Sequence, residues 1–332
     1  MPTLIELCAG AGGQALGLEQ AGFEHLAAVE IDRDACATLR ANRPEWNVMH
    51  ADVRAFTGAP FHGGVDLLAA GVPCPPFSIA GKQLGADDER DLFPEALRLV
   101  EEITPRAVLI ENVKGLGAAK FKPYREHIRA RLQALGYVSR WRLLDAKDFG
   151  LPQTRSRYLL VAMAEEDIHH FQWPTPDGAP PTVGERLIAL MASRGWPGAE
   201  AWSAAAAGVG PTVVGGSKKH GGPDLGPTRA RKRWAELGVD GLGIANEPPG
   251  PDFPEGKMPR LTVEMVAQLQ GFPDAWVFAG RKTARYRQVS NALPPPLAAA
   301  VGTAILNALA GVEIGGDVQR VLVAEKDAPR WV

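Results

Sequence analysis

The sequence predicts an α/β fold in which a mostly parallel, doubly wound sheet is joined to a smaller, loop-rich region. Across residues 1–165, short apolar runs alternate with stretches whose apolar residues recur every three or four positions. Residues 172–258 are rich in proline and glycine and contain few periodic runs. The length of 332 residues also exceeds the size at which single hydrophobic cores stop growing, so two domains are expected.

The elements follow in order along the chain. Five apolar runs are predicted strands, namely TLIELC, HLAAVEI, VDLLAAGV, RAVLIENV and RYLLVAMA. The predicted helices share three- and four-residue apolar spacing and are Ala15–Ala21, Arg33–Ala41, Leu92–Ile103, Tyr124–Leu135, Thr228–Leu237, Thr262–Leu269 and Pro296–Leu309. The predicted division is a sheet domain of residues 1–171 and 259–332, with residues 172–258 as an insert.

Composition is that of an ordinary soluble globular protein, with 45% hydrophobic and 22% charged residues. The net charge of −2 gives no global attraction to nucleic acid, so DNA binding would require a local basic patch. The three cysteines form no CxxC pair or metal-ligand spacing, so neither a disulfide nor a metal is expected. Without a long apolar run or a signal segment, we expect a cytoplasmic protein without a membrane partner.

A glycine-rich turn, Cys8–Gly13, joins the first predicted strand to a helix. Small residues let a ligand approach the backbone, and the helix N-terminus offers free N–H groups. This pattern fits NAD, FAD and S-adenosylmethionine about equally. Glu30 and Asp52 follow successive strands and could accept hydrogen bonds from a ribose and an adenine amino group. The alternative is that both are solvated, helix-capping acids.

Cys74 lies in a proline-boxed loop after a predicted strand, at the sheet edge where ligands bind in open α/β folds. It is therefore a candidate nucleophile, whereas Cys36 within a helix is expected to be an inert, buried residue. Glu111 ends another strand at the same edge and is a candidate acid. Arg155 and Arg157 are expected to project to one side of a strand and to converge on one target. Surface salt bridges are the alternative for both arginines.

Six blocks, in this order, resemble the successive motifs of the DNA cytosine-5 methyltransferase family: ELCAGAGG, PCPPFSIAGKQ, ENV, QTRSR, RLTVEMVAQLQGFP and QVSNALPPPLAAAVG. The likeness covers nearly the whole chain outside residues 172–258. The sequence departs from the family pattern in three places. Ser290 replaces the usual glycine before Asn291, Val263 stands where an arginine often precedes Glu264, and Glu89–Asp91 replaces a common Arg-Gly-Thr.

The resemblance implies a Rossmann-like fold that binds S-adenosylmethionine, with S-adenosylhomocysteine as product and no metal. It implies methyl transfer to C5 of a cytosine that is flipped out of duplex DNA. Cys74 would add to C6 of the base while Glu111 protonates or hydrogen-bonds N3. Arg155 and Arg157 would stabilise the thiolate and orient the ring through O2.

The resemblance also assigns binding residues. Those expected around the cofactor are Cys8, Ala9, Gly10, Ala11, Gly12, Gly13, Glu30, Ile31, Asp52, Val53, Pro73, Leu92, Asn291 and Ala292. Ser78, Lys82 and Gln83 belong to a stretch that resembles the loop closing over the flipped base, and they would face DNA.

A basic patch lies in the insert, where the residues between Val214 and Trp234 carry a local charge of +5. Its basic members are Lys218, Lys219, Arg229, Arg231, Lys232 and Arg233, opposed only by Asp224. Such a patch predicts phosphate contacts, with a solvated basic face as the alternative. The resemblance implies that residues 172–258 form a target recognition domain, although the loops do not reveal which bases are read.

Two alternatives to a DNA methyltransferase stay open. A relative acting on transfer RNA would share the catalytic set, but the Cys-Phe-Thr tripeptide of that branch is absent from this sequence. A Rossmann oxidoreductase or a catalytically silent nucleotide-binding module is more remote. A chain of this size resembles the monomeric, nucleoid-associated methyltransferase of a bacterial restriction-modification pair, with a cognate endonuclease as partner, or an orphan regulator.

Overall fold

A seven-stranded sheet forms the centre of the molecule in the computed structural model, which describes residues 1–73, 91–176, 178–214 and 223–311. Six residues singled out by the sequence lie outside these described residues. They are Cys74, Ser78, Lys82, Gln83, Lys218 and Lys219.

The strand order in the sheet is β3-β2-β1-β4-β5-β7-β6. The strands are β1 (Thr3–Leu7), β2 (Glu24–Glu30), β3 (Val48–His50), β4 (Leu67–Gly71), β5 (Ala107–Val113), β6 (Val138–Asp145) and β7 (Ser156–Met163). All neighbouring pairs are parallel except those that involve β7. The predicted mostly parallel sheet is confirmed. Its order reverses between β1 and β4, and the crevice at such a switch point is where ligands bind in open α/β sheets.

The edge strand β6 was missed by the sequence analysis. Its side chains are only partly buried, and Val138 and Leu143 are 40% and 39% exposed. The strand therefore lacks the continuous apolar run that a strand buried on both faces would show.

The helices described by the structure are α1 (Gly13–Ala21), α2 (Arg33–Asn42), α3 (Phe93–Ile103), α4 (Lys122–Ala134), α5 (Glu165–Ile168), α6 (Val183–Ala192), α7 (Ala199–Ala205), α8 (Thr228–Glu236), α9 (Val263–Leu269), α10 (Lys282–Asn291) and α11 (Pro295–Leu309). The sequence analysis missed α5, α6, α7 and α10. Helix α10 buries the polar residues Gln288 and Ser290 beside Tyr286 and Val289, so apolar periodicity does not reveal it.

Helices cover both faces of the sheet. Apolar residues of α3 and α4 pack on one face, and those of α1 and α11 pack on the other. Helices α1 and α11 approach so closely that a Cβ atom at Gly17 would lie 2.3 Å from the carbonyl oxygen of Pro295. This contact fixes the second turn of α1 and hence the turn that precedes the helix.

The residues from Lys282 to Leu309 have the length and composition of a membrane-spanning helix. They form two separate helices, α10 and α11, with a break at residues 292–294 between them. One side of α11 is buried against α1, as expected for a core helix of a soluble protein.

Buried residues of the insert belong to the same hydrophobic cluster as residues beside the glycine-rich turn. Leu187, Trp202 and Trp234 from the insert share this cluster with Leu16 of α1 and Leu39 of α2. The insert therefore packs on the sheet domain through a continuous apolar contact. The two-domain division of the chain stays a prediction.

Candidate active site

The carboxyl ends of β1, β4 and β5 bring the predicted cofactor turn and the predicted catalytic segment together. Leu7 pairs with Ala70, and Gly71 pairs with Glu111. A Cβ atom at Gly71 would lie 3.5 Å from the carbonyl oxygen of Cys8. The described chain ends two residues after Gly71, at Pro73, and Cys74 is the next residue in the sequence.

The glycine-rich turn adopts left-handed backbone conformations at Cys8, Gly10 and Gly12, where φ is 55°, 56° and 85°. Glycine has no steric cost in this region, whereas a cysteine does, which marks the turn as strained at Cys8. Space also limits side chains, because a Cβ atom at Gly12 would lie 2.7 Å from Leu39. The indole N–H of Trp276 donates to the carbonyl oxygen of Ala11 over 3.2 Å and holds the turn from behind.

Glu30 organises the backbone at the end of β2. Its two carboxylate oxygens accept hydrogen bonds from the N–H groups of Gly10 and Asp32, each at 2.7 Å. Burial raises the pKa of Glu30, and the backbone donors oppose this shift. The adjacent Ile31 is 62% exposed. A buried carboxylate next to an exposed apolar side chain suits a ligand with hydroxyl groups and a flat apolar face, such as adenosine.

Asp52 and Val53 lie beyond β3, next to Glu30 in the sheet order. Asp52 caps a short turn by accepting from the N–H of Arg54 at 2.9 Å, and it also pairs with the Arg54 guanidinium. The capping role considered for Asp52 is therefore present. Val53 is buried.

The remaining predicted cofactor residues come from distant segments. Asn291 is the exposed last residue of α10, and a Cβ atom at Gly13 would lie 2.9 Å from that of Ala292. The structure thus brings the C-terminal motif to the glycine-rich turn. Pro73 follows β4 at the same edge, and Leu92 immediately precedes α3.

Glu111 and Arg157 form a buried ion pair on the adjacent strands β5 and β7. Nε of Arg157 lies 2.6 Å from Oε1 of Glu111, with side-chain exposures of 10% and 8%. The contact is ionic without the alignment of a hydrogen bond. The pair holds the Glu111 carboxylate at the sheet edge, next to Gly71.

The described partners of Arg155 differ from those of Arg157. Arg155 precedes β7 and is 1% exposed, and its guanidinium donates to the carbonyl oxygens of Val213, Ser290 and Ala292 at 3.0, 2.8 and 2.9 Å. Arg155 thereby joins the QTRSR segment to the insert and to the end of α10.

Neither of the two described cysteines is poised as a thiolate. Burial, with a smaller contribution from Glu30, raises the pKa of Cys8 to about 12. Burial also raises the pKa of Cys36 to about 11, and this side chain is fully buried as predicted. Both thiols are protonated at neutral pH, and a protonated thiol is a poor nucleophile.

Helix α8 carries the described part of the basic patch. Arg229, Lys232 and Arg233 are exposed, whereas Arg231 lies 3.6 Å from Asp224 in an ion pair. Arg229 and Arg233 line a groove of about 280 Å³ together with Thr154, the neighbour of Arg155. The basic helix therefore borders the segment that carries the predicted catalytic arginines.

Sequence reasoning missed two buried polar residues that organise this region. Gln153 accepts from the N–H of Val213 at 2.8 Å and donates to Gln270 at 2.8 Å. The hydroxyl of Tyr286 lies 2.6 Å from two carbonyl oxygens in the insert. Both residues sit within or beside recognised motifs, QTRSR and QVSN, but their hydrogen bonds to distant backbone have no sequence signature.

Comparison with known proteins agrees with this geometry. The profile of the C-5 cytosine-specific DNA methylase family matches residues 3–205 and 216–307. The chain is 57% identical to the Type II methyltransferase M.NaeI of Lentzea aerocolonigenes, over 92% of this chain and 75% of the relative. It is 52% identical to the Type II methyltransferase M.NgoMIV of Neisseria gonorrhoeae, over 92% of this chain and 98% of the relative.

A solved structure is similar in fold as well. The Dnmt2 methyltransferase of S. pombe aligns with a TM-score of 0.63 and 17% identity, over 93% of this chain and 99% of the other. With a family profile that spans most of the chain and relatives more than half identical to it, the chain belongs to the C-5 cytosine-specific DNA methylase family and is a DNA (cytosine-5) methyltransferase, an enzyme class that takes its methyl group from S-adenosylmethionine.

Proposed function

We propose that this enzyme methylates a cytosine within a specific duplex DNA sequence, as the modification enzyme of a Type II restriction-modification system, with Cys74 as its nucleophile. The observation that carries the proposal is the buried Glu111–Arg157 ion pair beside the strand that leads to Cys74. The relatives named above are themselves Type II methyltransferases.

The reaction needs a nucleophile because C5 of cytosine is too electron-poor to attack a methyl donor directly. Addition of the Cys74 thiolate to C6 forms an Sγ–C6 bond and makes C5 an enamine carbon. When bound, S-adenosylmethionine supplies an electrophilic methyl group to that carbon. Loss of the C5 proton then breaks the Sγ–C6 bond and restores the aromatic ring and the free cysteine.

Glu111 is the residue that favours addition. A carboxyl group that protonates or hydrogen-bonds N3 withdraws electron density from C6, so the thiolate adds more readily. Arg157 fixes the orientation of this carboxyl and places a positive charge at the same edge. Arg155 and Arg157 together lower the cost of forming a thiolate and of developing charge on O2 of the base.

The turn from Cys8 to Gly13 and the ends of β2 and β3 fit an adenosyl ligand. Glu30 keeps one further lone pair on each oxygen for ribose hydroxyls, and the exposed side chain of Ile31 offers an apolar surface to a purine. The left-handed backbone at Gly10 and Gly12 leaves room for the ligand to approach. Asp52, Val53, Pro73, Leu92, Asn291 and Ala292 complete the proposed pocket.

Duplex DNA is proposed to bind across the groove between α8 and Thr154. Arg229 and Arg233 line this groove and would contact phosphates, together with Lys218, Lys219 and Arg231 of the basic patch. Ser78, Lys82 and Gln83 would contact the strand around the flipped base. Residues 172–258 would then act as the target recognition domain of a monomeric enzyme that works on DNA in the bacterial cytoplasm, with a cognate endonuclease as its genetic partner.

The test uses duplex DNA in which cytosine is replaced by 5-fluorocytosine. Fluorine at C5 cannot leave as a proton does, so the enzyme stays bonded to C6 and forms an adduct stable to SDS. We expect the wild type and Cys36→Ser to form this adduct in the presence of S-adenosylmethionine, and Cys74→Ser to form none. An adduct that survives Cys74→Ser would show that another residue is the nucleophile.

The substrate class is tested with tritiated methyl donor. We expect label in duplex DNA and none in transfer RNA, and the reverse distribution would contradict a DNA substrate. Bisulfite sequencing of DNA from cells that express the enzyme then identifies the recognition sequence.

A further inference from the structure

The hydroxyl of Tyr286 in α10 contacts the chain on both sides of residues 215–222, which precede the basic helix α8. The two flanks of these residues are 213–214 and 224–226. Its oxygen lies 2.6 Å from the carbonyl oxygen of Val214 and 2.6 Å from that of Asp224, so these two carbonyls are at most 5.2 Å apart. The side chain is 1% exposed, and burial raises the pKa of its phenol well above the usual value. The phenol therefore keeps its proton and shares it between the two carbonyls.

A second feature keeps the same flanks close. Gly226 has a φ of +105°, and a Cβ atom there would lie 2.2 Å from Cγ2 of Val214. Any other residue at position 226 would be strained in its backbone and would push Val214 away. The close approach of the two flanks thus depends on both Tyr286 and Gly226.

Each flank leads directly to a functional element. On the first flank, the N–H of Val213 binds Gln153 at 2.8 Å, and its carbonyl accepts from Arg155 at 3.0 Å. On the second flank, Asp224 pairs with Arg231 at 3.6 Å in helix α8. The position of α8 relative to the QTRSR segment is therefore set where the flanks meet Tyr286.

Helix α10 is itself fixed to the cofactor half of the sheet. Arg287 donates to Asp32 at 2.6 Å, and Gln288 accepts from Thr38 at 2.6 Å, so two residues next to Tyr286 bind helix α2 and its cap. The helix thus has one side attached to the sheet domain, while Tyr286 reaches the insert.

We propose that Tyr286 is a positioning residue for DNA binding, whose hydroxyl fixes the position of α8 and the two flanks relative to the QTRSR segment at the sheet edge. The inference rests on the proposed binding of DNA along α8. Without the hydroxyl, both carbonyls lose their partner and the flanks separate. Part of the energy of DNA binding is then spent on ordering α8, so affinity for DNA falls while the chemical step is unchanged.

The test compares Tyr286→Phe with Tyr137→Phe. The hydroxyl of Tyr137 also donates to a backbone carbonyl, that of Pro105 at 2.6 Å, and this buried bond lies near the amino end of β5, away from the site. Both changes remove one hydroxyl and keep the ring. Steady-state rates are measured on a duplex that contains the site mapped by bisulfite sequencing. Calorimetry gives the Kd for S-adenosylmethionine, and thermal unfolding gives the Tm.

For Tyr286→Phe we expect the KM for DNA to rise about tenfold, which corresponds to about 1.4 kcal/mol. The kcat at saturating DNA and the Kd for the methyl donor are expected to change less than about twofold, and Tyr137→Phe is expected to leave all three values unchanged. A KM for DNA equal to that of Tyr137→Phe, or a fall in kcat without a change in KM, would overturn the inference.

Gly226→Ala provides an independent variant that leaves α10 intact, in case Tyr286→Phe lowers the Tm. It is expected to raise the KM for DNA in the same way, and an unchanged KM would count against the role of the flanks. The 5-fluorocytosine adduct of the wild type distinguishes failure of the positioning role of Tyr286 from failure of the proposed function. If it forms and the variants bind DNA normally, only the positioning role fails, whereas its absence from the wild type rejects the proposed function.

Discussion

The sheet edge and the insert are held in place by different kinds of contact. At the sheet edge, backbone ladders set the register, and they place Gly71 opposite Glu111 and Leu7 opposite Ala70. Within the described residues of the insert there is no strand, and an isolated bridge joins its Gly210 to Gln153. The insert is instead attached through apolar packing, a few backbone hydrogen bonds and side chains that bind its carbonyl and N–H groups.

Because of this difference, substitutions in the two regions are expected to affect different properties of the enzyme. Backbone pairing is shared over many residues, so the sheet should keep its geometry when one side chain is replaced. Beside its apolar contact, the insert depends on long-range hydrogen bonds from Gln153, Arg155 and Tyr286, so the loss of one of them should shift it. Substitutions at the sheet edge should therefore affect reaction steps, whereas substitutions at Gln153 and Tyr286 should affect stability and DNA binding. Arg155 belongs to both groups, so its substitution should affect stability as well as the reaction.

Glu111→Gln is expected to have the largest effect. The sheet should stay intact and the affinity for S-adenosylmethionine should be retained, while turnover falls about a thousandfold because N3 loses its acid. The measurement is single-turnover methylation with labelled donor, alongside calorimetric titration of the donor. Glu264→Gln is the control, since Glu264 pairs with Arg285 at an exposed position. Unchanged turnover in Glu111→Gln would contradict its role at N3.

Arg155→Met tests the insert. The change removes three hydrogen bonds to the carbonyls of Val213, Ser290 and Ala292, and we expect the free energy of unfolding to fall by about 4 kcal/mol. Urea unfolding measures this value. Arg106→Met is the surface control, because this arginine is half exposed and its ion pairs at 3.6 Å contribute little. Equal effects of the two changes would remove the distinction between the insert and the sheet surface.

The sequence predicts the sheet edge well for a physical reason. Buried parallel strands require apolar runs, and ligands bind at their carboxyl ends, so the positions of Glu30, Asp52 and Glu111 follow from where the runs stop. The same reasoning fails for α10. Helix α10 is held by hydrogen bonds of Tyr286, Arg287 and Gln288 to partners more than sixty residues away in the sequence. Gln288 also donates to the nearby carbonyl of Ala279. A single sequence does not display such distant partners.

His25 is a buried titratable residue of the sheet, in β2, and it makes the stability of the sheet depend on pH. Its Nε2 donates to the carbonyl of Ala15 at 3.1 Å, while Nδ1 is buried without a partner. Burial lowers the pKa of His25 to about 4 from 6.5, because a proton on Nδ1 would find no acceptor. A folded pKa below the unfolded value means that stability is complete above pH 6.5 and is lost as the pH falls toward 4.

We expect this loss to reach about 3 kcal/mol at pH 4 relative to pH 7. Buried carboxylates such as Glu30 change stability in the same range, so the measurement is the difference between the wild type and His25→Gln in urea unfolding across the pH series. The difference should shrink as the pH falls. A constant difference would show that His25 does not titrate between its folded and unfolded pKa values.

The smallest expected effect concerns the basic helix and the salt dependence of DNA binding. Arg233 is exposed in the groove beside Thr154, whereas Arg231 is already paired with Asp224. Each lost phosphate contact lowers the slope of log K against log salt concentration by about one. Arg233→Gln should therefore reduce the slope by about one, and Arg231→Gln should reduce it less, because Asp224 neutralises that charge. Fluorescence anisotropy over a salt series measures both slopes. Equal slopes for the two variants would mean that DNA displaces Asp224 from Arg231. Arg231 would then contact a phosphate in the complex although it is paired with Asp224 in the free enzyme.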